Sequence, residues 1–527
     1  MLASISKLTL GVAMGLVASC SVDDGRAGDP ATNDDPITDT GEDASSMSVC
    51  TSGLFRCLAH VRTTGAGVNR RITSHAATPT GLGALDLQSA YKIDATKLAT
   101  STKPTVAIVD AYGYTNLEAD LAVYRAQYGL PACTKANGCL RIVNQDGLAS
   151  PLPPNPPADD DWTVETALDV DMASAACPLC NLLVVQAIDS AGEGLLTAQN
   201  TAVTLGATVI SDSWAAPEQA GQSLAPEEVY FNHPNVGIYV AAGDAGYNNT
   251  IVPAGNTTGP DYPGTSQYTI AVGATRLVKD ATTTRGWTET AWAVTSTGGA
   301  VDLTRGAGGS ACSLSIVKPA YQTSSPCTFK ATADVSAVGD PVTGVAVYNT
   351  TVANRAWISV GGTSASAPFV AAIMAATGNG KQTSGEFFSL NTAKLWDVTS
   401  GTNGTCTGKT LLCNAATGWD GPTGFGTPNV SALMAAATGT GGGTGTGGGT
   451  GTGGGTGTGG GTGTGGGAGT DGTGSSTDGT GTTGGGTGTG GGSNSGSQDL
   501  QGGCAVGGSG SGLLFGLALL GLRRLRR

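Results

Sequence analysis

Residues 361–368 read GGTSASAP, and the chain continues as FVAAIMAA. Small residues ahead of an apolar, helix-forming run present Ser364 at a helix start with little steric cover. A serine hydroxyl attacks a carbonyl only once a base has taken its proton. Histidine is the usual base, and the chain holds three: His60, His75 and His233. His60 and His75 precede the first apolar strand, in polar sequence, and His233 lies beside a proline in FNHPN. All three read as surface histidines. A Ser-His-Asp arrangement, with Asp110 as its acid, is therefore disfavoured, because it needs a histidine that reaches both partners.

Another base is available. WTVETALDVDMASAA, residues 162–176, has a helical pattern. Glu165 and Asp169 are one helical turn apart and share a face. Two neighbouring carboxylates resist joint ionisation and can hold one proton between them. Such a pair can serve as a general base at low pH. The same spacing also describes a solvated acidic helix face, and the pair alone does not choose.

These residues need a scaffold. TVAIVDAY (105–112) is a buried-strand run, and NLEADLAVYRAQYGL (116–130) follows with helical spacing. Further strands are expected at 181–187, 207–214, 236–244 and 268–275. Continuous apolar strands separated by helices imply an α/β fold with a parallel sheet. Such sheets place their sites at the carboxyl ends of strands, where Asp110, Asp212 and Asp244 fall.

The chain of 527 residues carries 26 basic and 39 acidic side chains, a net charge of −13. No basic stripe is available for phosphates, which argues against a nucleic-acid partner. An acidic surface suits an exported protein. Residues 1–20, MLASISKLTLGVAMGLVASC, read as an export signal with an apolar stretch shorter than the roughly 20 residues a spanning helix needs. Val17-Ala18-Ser19-Cys20 resembles a lipoprotein cleavage box, with an ordinary secretory signal as the alternative. Setting Cys20 and Cys504 aside leaves ten cysteines in close pairs: Cys50/Cys57, Cys133/Cys139, Cys177/Cys180, Cys312/Cys327 and Cys406/Cys413. Local, even pairing behind an export signal predicts disulfides. The Cys177-Pro-Leu-Cys180 stretch lacks the partners that would complete a zinc set.

Residues 21–78 are polar and are expected to form a leader or short pro-region, largely without a core. A globular domain is expected over 79–436 and a Gly/Thr-rich flexible linker over 437–500. In 501–527, Gly503-Cys504, a short apolar stretch and terminal arginines resemble a myxobacterial-type C-terminal sorting tag. A plain membrane anchor is the alternative. Either reading, with the N-terminal signal, places the protein at the cell surface, at the outer membrane or outside the cell.

Glu165/Asp169, then VAAGDAG (240–246), then GGTSAS (361–366) occur in the order found in the sedolisin family, the serine-carboxyl peptidases. DLQSAYKI, VDAY, YPGTSQYTIAVGAT, ETAW, KPAYQ, ADVSAVGDPVTGVAVY, DVTSG and GWDGPTGFGTPN extend the resemblance over roughly residues 79–436. It implies a subtilisin-like three-layer fold: a central, mostly parallel sheet with helices on both faces. It also implies a serine-type endopeptidase acting on proteins or peptides through an acyl-enzyme, favoured at acidic pH. Ser364 would be the nucleophile, Glu165 the base and Asp169 its orienting partner. Asp244 would line the oxyanion hole, a role that requires its acid form. The family's calcium site maps to Asp397, Val398, Ala416, Gly418 and Asp420, the two aspartates through carboxylates and the others through main-chain carbonyls. Two aspartates capping turns are the alternative there. The catalytic domain is expected to be monomeric. Ala245 stands where the family commonly has serine, and the leader is short for the family. A catalytically inactive surface-binding protein on the same scaffold is the competing function.

Overall fold

The Thr105–Ala111 strand is a run of β-branched and small apolar residues, buried along almost its whole length. Such a strand is stable only in the middle of a sheet covered on both faces. In the computed structural model it pairs in parallel with Asn181–Ala187 on one side and Val209–Asp212 on the other. The sheet runs, edge to edge, Trp287–Ala291, Ile270–Lys279, Gly237–Ala241, Val209–Asp212, Thr105–Ala111, Asn181–Ala187 and Leu140–Asn144. Val335–Val338 completes eight strands by pairing in parallel with Ile270–Lys279. The Trp287–Ala291 strand is the antiparallel exception. The structure describes residues 44–64, 71–72, 78–96, 98, 103–157, 160–252, 255–294, 301–302, 305–351 and 356–437. All of them fall in one unit, Met1–Thr444. The export signal, the repeats from 438 onward, the C-terminal segment and His75 lie outside the described residues.

Three helices position the site. Glu193–Thr204 packs on the Thr105–Ala111 and Asn181–Ala187 strands. Thr363–Ala376 packs on Val209–Asp212, Gly237–Ala241 and Ile270–Lys279. Trp162–Ala176 packs against Thr363–Ala376 and against Thr105–Ala111. Every residue of both Trp162–Ala176 and Thr363–Ala376 is buried. For the first of these, the solvated acidic face that the Glu165/Asp169 spacing also allowed is excluded. A helix buried all round holds its polar groups in a low-dielectric interior, where an unpaired charge is costly. Among the described residues no helix is long and apolar enough to cross a membrane.

The five expected cysteine pairs are all disulfides, including Cys177–Cys180 with its Cα atoms 5.4 Å apart. Within the stretch expected to be a leader, residues 44–64 are built into the fold. His60–Thr64 lies between Ala44–Ser48 and Trp357–Gly361, antiparallel to both. Arg56–Cys57 pairs with Trp214–Pro217. Val49, Phe55, Leu58, Ala59 and Val61 are core residues.

Candidate active site

Gly362 precedes the Thr363–Ala376 helix with φ +101°, a conformation that glycine adopts without penalty. This turn points Ser364 out of the first helical turn towards the carboxyl ends of the sheet strands. The Ser364 hydroxyl donates to the Ser213 carbonyl at 3.3 Å. The Ser213 hydroxyl in turn donates to Asp169 Oδ1 at 2.9 Å. Ser213 thus joins the nucleophile candidate to the carboxylate pair. Ser364 itself has no exposed surface.

Glu165 and Asp169 face inward from one side of their helix and are both fully buried. Burial pushes Glu165 well above the ordinary carboxylate range, and Asp110 pushes it further. The Ser364 hydroxyl and the Ala59 main chain lie close enough to ease its charge, although neither oxygen has a partner at ordinary hydrogen-bond distance. Asp169 is also raised well above its usual value, by burial, then Asp110, then Glu165, with the Ser213 hydroxyl opposing. Asp110 is raised to about 7, chiefly by burial. Three carboxyl groups therefore share one dry compartment and hold protons at pH values where an exposed acid would be ionised. A compartment of this kind can accept a proton from a hydroxyl and return it to a leaving group.

Asp244 sits just past the Gly237–Ala241 strand and is also buried. Its Oδ1 accepts from the Thr363 hydroxyl at 2.6 Å and the Thr363 main-chain N–H at 2.8 Å. Burial raises the group to about 8, against the opposing pull of those Thr363 bonds. Two donors on Oδ1 leave Oδ2 facing His60 Nε2 at 3.5 Å. In its acid form, Asp244 could donate a hydrogen bond to developing negative charge.

The family model for the Subtilase family matches residues 166–436, just over half of the chain. This chain belongs to the subtilase family. Its relatives include kumamolisin from Bacillus sp. (strain MN-32), 29% identical over 385 residues. Sedolisin from Pseudomonas sp. (strain 101) is 28% identical over 377 residues. The alignments take in 69% and 66% of this chain but only 65% and 60% of those relatives, less than two thirds of each. Among solved structures, Pseudomonas sedolisin (serine-carboxyl proteinase), complexed with two molecules of pseudo-iodotyrostatin, aligns with a TM-score of 0.51 at 24% identity. That alignment covers 68% of this chain and 98% of the sedolisin chain. The fold is subtilisin-like, as the sequence resemblance implied.

Three features of this subtilase site are not legible in the sequence. Asp110 reads there as a strand-end carboxylate, yet it is the largest charged influence on both Glu165 and Asp169. Its position near the end of a central strand is the available signal. His60, expected at the surface, is instead buried, with Nε2 3.5 Å from Asp244 Oδ2. The correction has a simple cause: the strand it begins is paired on both sides. His233 is only partly covered. The pairing of Arg56–Cys57 with Trp214 and Ala215, and of the Leu58 N–H with the Ser213 carbonyl, has no sequence signal.

The five calcium candidates come together in one loop region. Asp397 accepts from the Gly418 N–H at 3.0 Å, and Asp420 accepts from the Ala416 N–H at 2.8 Å. Asp420 also accepts from the Thr423 N–H and hydroxyl, each at 2.9 Å, so it does cap a turn. It is raised to about 7 by burial, with Asp397 adding to the rise. Val398 is buried beside them. The two carboxylates lie close enough for Asp397 to raise Asp420, and carboxylate oxygens are hard donors of the kind calcium takes. Among the described residues no three His, Cys, Asp or Glu side chains cluster around a common metal position, so main-chain carbonyls would have to supply the remaining ligands.

Proposed function

We propose that this subtilase is a serine-carboxyl endopeptidase that cuts proteins or peptides through an acyl-enzyme. The observation that carries the reading is Ser364 set beside the buried Glu165–Asp169–Asp110 carboxyl compartment, with Asp244 fixed by Thr363 at the same helix start. Similarity to peptidases that bear the sedolisin and kumamolisin names supports it.

In this mechanism Glu165 takes the Ser364 proton as Oγ attacks the substrate carbonyl carbon. Asp169 shares that proton and is itself held by Ser213. The carbonyl oxygen, now negative, receives the Asp244 Oδ2 proton as a hydrogen bond. Glu165 then donates to the leaving amine, and the acyl-Ser364 ester remains. Water, deprotonated by Glu165, hydrolyses the ester and restores the serine. The base must be ionised and the oxyanion acid protonated, so activity needs one proton to have left the Glu165–Asp169–Asp110 compartment and ends on the alkaline side where Asp244 ionises, at about 8; the acidic preference is what the family resemblance implies. Asp397 and Asp420, with carbonyls of Val398, Ala416 and Gly418, would hold one structural calcium ion that ties down the loops after the nucleophile helix. Export and attachment at the cell surface, through either terminus, complete the proposal.

The test is hydrolysis of a denatured protein from acid to neutral pH by the wild type, Glu165→Gln and Ser364→Ala. We expect acid-favoured activity that falls at least ~10³-fold in each variant. Activity that peaks near neutrality and survives Glu165→Gln would overturn the carboxylate base.

A further inference from the structure

Glu289 is a buried carboxylate that the proposed mechanism does not use. Its side chain is 2% exposed, and four donors from separate parts of the fold meet it. Oε1 accepts from the Tyr91 hydroxyl at 2.6 Å and from the Thr275 hydroxyl at 2.7 Å. Oε2 accepts from Arg285 at 2.5 Å and from the Thr427 hydroxyl at 2.6 Å. Four donors, one of them a cation, offset the cost of holding a carboxylate away from water and fix its orientation.

The two donors on Oε1 lead on towards Ser364. A tyrosine hydroxyl has one proton to give. Tyr91 gives it to Glu289, which leaves its oxygen to accept the Val338 main-chain N–H at 2.8 Å. The Thr275 carbonyl accepts the N–H groups of Gly339 and Asp340, at 2.9 and 3.1 Å. Residues 338–340 therefore hang from the two side chains that Glu289 orients.

The turn bearing the nucleophile is tied to this same segment on both sides of Ser364. The Gly362 N–H donates to the Gly339 carbonyl at 2.6 Å. The Ser366 hydroxyl donates to the Ala337 and Val338 carbonyls, each at 3.0 Å. The approach is close: a Cβ on Gly339 would come within 2.5 Å of the Gly362 carbonyl oxygen and 3.0 Å of Ser366 Oγ. The Tyr91 ring also stands edge-on to Phe369 of the nucleophile helix, with centroids 4.9 Å apart.

We propose that Tyr91, oriented by Glu289, is a positioning residue for the reaction: by holding Val338 it sets where Ser364 Oγ stands relative to Glu165 and Asp244. The proposal rests on the peptidase reading above and deepens it. Attack on a carbonyl depends steeply on where the attacking atom stands, and a misplacement of about 1 Å can cost about 10²-fold in rate. Thr427 supplies the contrast. Its hydroxyl binds the other oxygen of the same carboxylate, on the side away from Val338's acceptor. Removing either hydroxyl takes one donor from Glu289, but only the loss of Tyr91's takes the acceptor from Val338.

The experiment compares the full chain as wild type, Tyr91→Phe, Ser366→Ala, the double variant of these two, and Thr427→Val. Tyr91→Phe keeps the ring that packs on Phe369. Steady-state kinetics on a peptide substrate and pH–rate profiles are measured, with thermal midpoints taken in a Ser364→Ala background. Tyr91→Phe is expected to lower kcat by about 10-fold or more with KM changed by less than about twofold. The acidic limb of its profile should not move, because the Glu165–Asp169–Asp110 compartment is untouched. Ser366→Ala should act likewise, and the double variant should lose no more than the worse single one, since both act through Val338. Thr427→Val should lower the thermal midpoint as Tyr91→Phe does while keeping the wild-type kcat. With an active wild type, an unchanged kcat in Tyr91→Phe, an equal loss in Thr427→Val, or losses that multiply in the double variant overturns the positioning role alone. A wild type that cuts no substrate overturns it together with the peptidase reading.

Discussion

Thr363 donates twice to one oxygen of Asp244, through its hydroxyl at 2.6 Å and its main-chain N–H at 2.8 Å. Thr363, immediately before Ser364, thus orients the Asp244 carboxyl, whose Oδ2 faces His60 Nε2 at 3.5 Å. Under the proposed mechanism Oδ2 carries the proton that stabilises the oxyanion. Asp244→Val removes that donor. The expected result is a fall in kcat of about 10²–10³-fold with little change in KM. Asp244→Asn retains an N–H donor and should lose less. Steady-state kinetics on a peptide substrate at acidic pH checks both.

Asp110 raises both Glu165 and Asp169. Asp110→Asn removes a like charge from the compartment, so their pKa values should fall. Glu165 would then ionise at lower pH, and the acidic limb of the kcat/KM profile should move down by about 1 pH unit. Under the proposed mechanism Asp110 acts only through Glu165, as a positioning residue. A pH–rate profile separates that role from a structural one, which would lower activity without moving the limb.

Buried acids with raised pKa values also make folding depend on pH. Asp244 is raised to about 8, Asp110 to about 7 and Asp261 to about 7, in each case mainly by burial. In the unfolded chain an aspartate titrates near 4. Between about pH 4 and pH 8 the folded state therefore binds more protons than the unfolded state. Stability then falls as pH rises through that window. Urea midpoints of the Ser364→Ala chain, which cannot digest itself, should be higher at pH 5 than at pH 8. Equal midpoints would mean these acids ionise in the folded state as freely as in water.

Calcium removal is expected to lower the thermal midpoint, because a ligand that binds only the folded state stabilises it by about 2.7 kcal/mol at one hundred times its Kd. Scanning calorimetry of Ser364→Ala with calcium and with chelator measures the difference. Asp420→Asn should reduce it sharply. Arg141→Ala, exposed on the opposite edge strand Leu140–Asn144, should leave the calcium-dependent shift intact.

Much is legible in the sequence because it is local. The Asn181–Ala187 strand and the Trp162–Ala176 helix appear with the boundaries that their apolar patterns imply. The Ile270–Lys279 strand runs four residues further than expected at its carboxyl end. Its outer residues gain partners from Trp287–Ala291, a pairing that no local pattern announces. The disulfides close short loops and are readable from spacing alone. The Thr363–Ala376 helix is readable because the small residues ahead of it are contiguous with its apolar run, whereas Ser364, expected to have little cover, has no exposed surface.

Local sequence carries the strands, the Thr363–Ala376 helix, the shared face of Glu165 and Asp169 and the cysteine pairs, since each depends on neighbours a few residues away. Tertiary packing alone brings Asp110 to Glu165 and Asp169, buries His60 beside Asp244, and sets the Leu58 N–H and the Ser364 hydroxyl on the same Ser213 carbonyl. Those relationships join residues far apart in the chain, through sheet pairing and shared burial. A polar segment such as 44–64 carries no periodic pattern to reveal its partner. It becomes ordered because strand edges on either side of the site satisfy its main-chain N–H and C=O groups.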